Sequence, residues 1–245
     1  MKKAPLKIAC LSSAIVLCLM SASPAEATNK VSSPDVTKGR LEFEYRGGYD
    51  FDGDSRKNGI DQHKFGVNYG VTDRFRTEVK ADLASNGTER DWTFIEWSNR
   101  FQLIKDGSFW PKLSVQENYK FSLLDAKADK LEGTFLLGKD AGSFTHVANL
   151  NFENEVGPKA RSGTDINLGW KTKYRYQPAL EPGFEFYADF GKVIGPVTPG
   201  QKKYQIGPVL YGTVAKNVKY EFGVLIGLSE IAPDTRLKAI ITYGF

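Results

Sequence analysis

From Arg40 to the last residue, Phe245, the chain alternates polar and apolar side chains with a period of two. Leu41, Phe43, Tyr45, Tyr49 and Phe51 share one parity, while Arg40, Glu42, Glu44, Arg46 and Asp50 share the other. Phe75, Val79, Ala81 and Leu83 alternate with Arg76, Glu78, Lys80 and Asp82. The pattern recurs in Ile166–Tyr176 and in Val218–Ile226. A helix would return the same face every 3.6 residues, so this chain reads as strands from end to end. About twelve segments can be marked out, near 40–52, 59–72, 74–85, 90–105, 109–124, 129–138, 143–156, 164–177, 183–194, 202–215, 217–229 and 235–245; ten and fourteen are the neighbouring counts.

The connections have two characters. Val71–Arg74, Lys105–Ser108, Lys139–Gly142, Pro178–Pro182 and Ala215–Asn217 read as tight turns. Asp52–Gln62, Asp125–Asp129, Gly157–Gly163 and Gly195–Lys202 are longer, and Asn58-Gly59 and Asn86-Gly87 are hairpin dipeptides. An even strand count with short turns at one end and longer loops at the other is the pattern of outer-membrane barrels. The fold class expected is therefore all-β: a single antiparallel transmembrane β-barrel of about twelve strands over residues 40–245.

Ahead of it stands an export signal. Lys2, Lys3 and Lys7 precede an apolar stretch, Ile8–Met20, and Pro24-Ala25-Glu26-Ala27 offers the small residues a signal peptidase requires, which places cleavage after Ala27. The stretch is shorter than the roughly 20 residues of a spanning helix. Both cysteines, Cys10 and Cys18, fall inside this signal, so the remainder holds no disulfide and no cysteine-based metal site. Removing residues 1–27 takes three Lys and one Glu from a net charge of +4 and leaves +2, which argues against nucleic acid as a partner. Residues 28–39 form a polar tail, expected to be too short to plug a pore.

Energetics decide which parity faces lipid. A Lys or Arg pointing into lipid at mid-membrane costs about 2–4 kcal/mol, so the charged set must line the interior. That assigns Arg46, Arg76, Glu78, Lys80, Asp82, Glu96, Arg100, Lys112, Lys120, Lys171, Lys173, Arg175, Glu185 and Asp189 to the lumen. The opposite parity carries aromatics near both ends of the strands, Tyr69, Phe75, Phe101, Tyr174 and Phe184 at the short-turn end and Tyr49, Phe51 and Phe121 at the other. A soluble periplasmic sandwich or lipocalin-like barrel would show the same alternation turned inside out. The length of the strands and the aromatic outer set favour the membrane. Leu237, Ala239, Ile241, Tyr243 and Phe245 also resemble the terminal strand of Gram-negative outer-membrane proteins. The resemblance implies an outer-membrane location, neighbouring lipid and lipopolysaccharide, and reading of Tyr243 and Phe245 by the barrel assembly machinery.

No catalytic constellation emerges. The chain has two histidines, His63 in a presumed loop and His146 among the apolar set near the short-turn rim. The phospholipase and lipid A deacylase barrels carry His-x-Ser; here Phe65 and Ala148 occupy the serine's place. An omptin-type protease would need a His-Asp couple and an acid pair at the outer rim, which no spacing here fixes. Asp50, Asp52, Asp54 and Asp61 suggest a calcium loop, but an EF-hand needs Gly and Glu where Ser55 and Asp61 stand, so no metal and no cofactor is expected.

The lumen carries what functional signal there is. Gly66, Gly70, Gly169, Gly191, Gly207, Gly223 and Gly227 remove bulk from the inner wall, whereas Trp92, Phe94, Trp110, Tyr187 and Tyr211 narrow it. Twelve strands lie between a side-chain-filled barrel and an aqueous pore. The small cationic excess, with the ladder Lys171, Lys173 and Arg175, points to a passive channel for small hydrophilic solutes with a mild anion preference. A closed structural or surface-interaction barrel is the alternative, and a lipid hydrolase the remoter one. One residue breaks the parity: Glu117 falls on the lipid-facing side unless a β-bulge returns it to the interior.

Overall fold

The computed structural model describes residues 29–85, 87–106, 109–194 and 202–245. The expected signal peptide, Asn86 of the Asn86-Gly87 turn, Gly107 and Ser108 of the 105–108 turn and most of the 195–202 connection lie outside them. Twelve strands form: β1 (Leu41–Phe51), β2 (Asp61–Gly70), β3 (Phe75–Ser85), β4 (Arg90–Ile104), β5 (Lys112–Ser122), β6 (Asp129–Ala141), β7 (Phe144–Val156), β8 (Thr164–Tyr174), β9 (Glu181–Ile194), β10 (Lys203–Val214), β11 (Val218–Gly227) and β12 (Thr235–Gly244). Each pairs antiparallel with its neighbours in sequence, and β1 pairs with β12, so the sheet closes. Closure leaves no edge strand, the condition for strands to cross lipid with every backbone group satisfied.

The register carries the parity around the barrel. Tyr45 faces Phe65 on β2 and Ile241 on β12, while Arg46 faces Lys64 and Ile240. Outward residues such as Val67, Val79, Phe135 and Val224 are exposed on the wall; inward ones such as Glu78, Lys80, Glu96 and Arg236 are buried. The two aromatic bands form as well. Phe75 stacks on Phe101 with centroids 4.8 Å apart, and Tyr243 meets Phe245 at 4.9 Å, near the short-turn end. Tyr49 and Phe51 lie 4.8 Å apart, and Tyr119 and Phe121 4.4 Å apart, toward the long loops.

Where a soluble domain keeps its apolar core, this one keeps ion pairs. Glu96 accepts from Lys64 at 2.8 Å and lies 2.5 Å from the Lys80 ammonium, so one carboxylate bridges β2 and β3 to β4. Lys64 also reaches Asp82, and Glu78 holds Arg76 at 3.0 Å. Arg236 donates to both oxygens of Asp50 at 2.5 and 2.6 Å and is only 1 % exposed. Among the described residues, Val209, Tyr211 and Leu225 with Tyr187 form a small apolar cluster inside.

Three readings of the sequence change here. The pairing between β3 and β4 shifts at Asp82/Leu83, so that Phe94 opposes Asp82 but Trp92 opposes Leu83. That bulge turns Trp92 onto the outer wall, where it is 48 % exposed and meets Phe65 at 6.0 Å. Trp110 does not narrow the lumen either, because β5 begins only at Lys112 and leaves it in the connection. Glu117 is not rescued by a bulge: β5 keeps an unbroken register with β6, and the side chain stays exposed on the outer wall. The turn expected over 139–142 is shifted, because β6 continues to Ala141. The β6–β7 connection is two residues, 142–143, with Gly142 in the left-handed region at φ 56°.

The inside-out distribution makes opposite predictions for adjacent positions. Val79→Arg on β3 should destabilise the barrel in lipid by about 2–4 kcal/mol, measured by denaturant titration of the heat-modifiable folded form. Lys80→Arg, one residue away and inside, should cost little. Glu96→Leu should cost about 3 kcal/mol, the low end for breaking a buried pair, because it strands both Lys64 and Lys80.

Candidate functional site: the lumen and its N-terminal segment

The polar tail runs inside the barrel. It enters at the short-turn end, where the Gly39 N–H donates to the Gly70 carbonyl at 2.7 Å, and climbs along the lumen to Asn29. Val36 N–H donates to Gln102 Oε1 at 3.1 Å, Lys112 pairs with Asp35 at 2.8 Å, and Ser114 Oγ donates to the Pro34 carbonyl at 2.6 Å. Asn149 then grips Ser32 from both sides, accepting from its N–H at 2.6 Å and donating to its carbonyl at 2.9 Å. Lys30 pairs with Glu44, and Asn29 bridges Gln205 at 2.9 Å and Arg236 at 3.1 Å. Eleven residues are too few for a folded plug, but an extended strand advances about 3.3 Å per residue and needs no fold to cross a lumen. The expectation that the tail was too short to occlude is thus corrected.

The wall is shaped to receive it. A Cβ at Gly70 would stand 1.9 Å from the Thr37 carbonyl oxygen, one at Gly138 2.8 Å from Pro34, and one at Gly169 3.2 Å from Val31. Val31 is fully buried. Arg100 shows the reciprocal fit. Its guanidinium donates to Gln116 Oε1 at 2.6 and 2.9 Å and to the Ser33 carbonyl at 2.5 Å, so a backbone oxygen of the segment completes the shell of a buried cation.

Most of the residues assigned to the lumen from sequence do line it. Arg46 pairs with Glu44, Lys120 with Glu132, and Lys173 with Glu181. Lys171 lies over the Tyr211 ring at 5.3 Å and reaches Glu221 at 3.9 Å. Glu185 is an acceptor hub, taking bonds from Lys238 at 2.5 Å, Tyr187 at 2.7 Å and Tyr211 at 2.8 Å. Asp189 caps the Gly191 N–H at 2.8 Å on the same wall. Arg175 does not belong. It lies past the end of β8 and pairs with Asp140 at the rim, so the basic ladder ends at Lys173. Glu44, Asp50, Arg236, Lys238 and Glu221 share the inward parity and complete the pairs, Glu44 and Asp50 on the charged parity already read for the first strand. The segment left a fainter trace, Val31, Pro34 and Val36 in an otherwise polar tail.

Above the segment the lumen widens into a cavity of about 1500 Å³ that opens toward the long loops. Asn118, Asn149, Asn151, Asn167 and Gln205 give one side of it an amide lining. At the mouth Arg56 hydrogen-bonds Asp54 and holds its carboxyl at about 2, and Arg161 pairs with Glu155 at 2.6 Å. Lys127, Lys192 and Lys203 line this cavity without a salt bridge to a described carboxylate, as do Asp91 and Glu230 without a described cation. Burial and the neighbouring Lys130 push the Lys127 ammonium below its ordinary value.

Neither histidine faces the lumen. His63 belongs to β2, not to a loop, and sits on the outer wall with Nδ1 2.8 Å from Tyr45 Oη and Nε2 3.1 Å from Asp61. His146 stacks on Trp170 with the rings 1° from parallel. Among the described residues no group of three or more His, Cys, Asp or Glu is placed to hold a metal.

No family model matches the chain, and no curated protein matches it. Solved structures do. An outer membrane channel from Pseudomonas putida F1 superposes with a TM-score of 0.63 at 10% identity, covering 91% of this chain and 99% of that one. The NanC porin gives 0.58 at 10% identity over 83% and 98%, and the KdgM porin 0.57 at 13% over 83% and 99%. In fold the chain is a closed twelve-stranded antiparallel β-barrel, similar to those of the outer-membrane channel and porins just named.

Proposed function

We propose that this protein is a narrow, passive outer-membrane channel for small hydrophilic solutes, with a mild anion preference and no enzymatic activity. One observation carries the reading: a polar cavity open at the loop end continues into a lumen obstructed by an extended segment of eleven residues rather than by a packed core. An ionic, wetted wall lowers the cost of partial dehydration for polar solutes and offers nothing to apolar ones. The similar solved structures, described as porins or a channel, support the same class.

The anion preference follows from what the ion pairs leave over. Cations and carboxylates of the inner wall largely cancel in pairs, and of the charged residues lining the cavity thirteen are Lys or Arg and twelve Asp or Glu, an excess of one cation. Such a preference is screened at high salt, since the Debye length falls from about 10 Å at 0.1 M to about 3 Å at 1 M. Exposure of Tyr243 and Phe245 on the outer wall supports the further proposal that the barrel assembly machinery reads this strand, with lipid and lipopolysaccharide as the surrounding partners.

Planar-bilayer recording tests the channel. The parent should conduct, and deletion of residues 29–36 should raise single-channel conductance about twofold or more, because a twelve-stranded lumen is then limited by side chains alone. Absence of conductance in both would favour the closed structural barrel. In a tenfold KCl gradient of about 0.1 M the reversal potential should indicate chloride slightly ahead of potassium, and the triple change of Lys127, Lys192 and Lys203 to Glu should reverse its sign.

A further inference from the structure

Glu117 lies at the middle of β5 on the outer wall, the sixth of eleven residues. Outward neighbours along the strand are Leu113 and Val115 on one side and Tyr119 and Phe121 on the other, which sets the carboxylate within the apolar band. Across the sheet it faces Asn99 on β4 and Gly133 on β6, and Asn99 in turn faces Thr77 on β3. The Thr77 hydroxyl accepts from Trp97 Nε1 at 3.1 Å and donates to Asn99 Oδ1 at 3.0 Å. The same hydroxyl also lies 3.4 Å from the Ser98 carbonyl; with the Asn99 oxygen toward Thr77, the amide NH₂ has no acceptor among the described residues. The Glu117 carboxylate likewise has no hydrogen bond or ion pair among them. At Gly133 an added Cβ would meet nothing within 4 Å, which leaves a notch beside the carboxylate.

An acceptor-only carboxylate and an unused amide donor, side by side on a wall that meets hydrocarbon, are unfavourable there unless a partner satisfies both. We infer that the outer face centred on Asn99 and Glu117 is the contact for a second copy of this chain. Donor and acceptor stand on adjacent strands, about 5 Å apart. A two-fold axis along the membrane normal, passing between them, brings Glu117 of each copy to Asn99 of the other. The patch is thus complementary to itself, as an isologous dimer requires. Exposed Trp97, Phe101 and Phe135 frame it with apolar surface. The inference needs the outer wall to face lipid but does not depend on conduction.

Cysteine cross-linking decides it. Cys10 and Cys18 are the only cysteines, so a Cys10→Ser, Cys18→Ser background carries single probes cleanly. In oxidised outer-membrane vesicles Val115→Cys, beside the proposed axis, should give a disulfide-linked homodimer. Val224→Cys, exposed on β11, should not. Adding Glu117→Leu should abolish the Val115→Cys dimer, and Glu117→Gln, which keeps a hydrogen-bonding group, should retain it. Equal cross-linking at both probes, cross-links only to other proteins, or a dimer unaffected by Glu117→Leu would each overturn the inference. Heat-modifiable gel mobility shows whether each variant is folded. Should the probes fail to fold, the mass of the unaltered protein in mild detergent decides, with a dimer supporting the contact and a monomer overturning it.

Discussion

Charge enclosed by a hydrogen-bonded cylinder has to be neutralised inside that cylinder. The outer wall cannot take it, because lipid penalises charge; the sheet cannot take it, because every backbone group is engaged in its ladder. The inner wall therefore behaves as one electrostatic unit. Glu96 joins Lys64 and Lys80, Glu185 joins Lys238 with two tyrosines, and Arg236 locks onto Asp50. Lys80–Glu96 and Arg236–Asp50 tie strands that the backbone register has already aligned, while Lys64–Glu96 and Lys238–Glu185 reach past a neighbouring strand, so the charges knit the wall beyond its ladder. A slip of one residue would break every pair and at the same time turn the charged set into lipid.

The N-terminal segment extends this logic from the wall to the axis. Among the described residues Arg100 has no carboxylate in hydrogen-bond reach and is completed by the Ser33 carbonyl; Glu44 takes Lys30 as well as Arg46. The wall yields space at Gly70, Gly138 and Gly169, where the segment's Thr37, Pro34 and Val31 come closest. Wall and segment were shaped for each other. That mutual fit separates an occluding element from a loose tail caught in a wide pore.

Much of this was legible in the sequence, for a physical reason. A strand with lipid on one side and ionic water on the other has an alternation that no helix imitates, so strand number, closure and the inward set could be read directly. The failures come where parity ceases to report direction. One extra residue near Thr93 flips Trp92 outward without changing the composition of the strand. Trp110 and Arg175 sit past strand ends, where side chains have no assigned face. The tail could not be placed at all, because its position depends on contacts with seven different strands and its own pattern carries no period.

Glu117 belongs to a different category, because there parity reported correctly and the chemistry was what looked wrong. A bulge would have removed the difficulty; the unbroken β5–β6 register excludes one. A barrel that places nearly every charge inward does not leave a carboxylate on its waist by failure of pattern, since Val115 and Tyr119 on either side obey it. The exception sits beside an oriented amide and an open notch, both on neighbouring strands. Inside the cylinder, unmatched charge is answered by a neighbouring strand. On the outer wall the strands beside Glu117 present Asn99 and Gly133, neither of them bonded to its carboxylate, and the same requirement passes to another molecule.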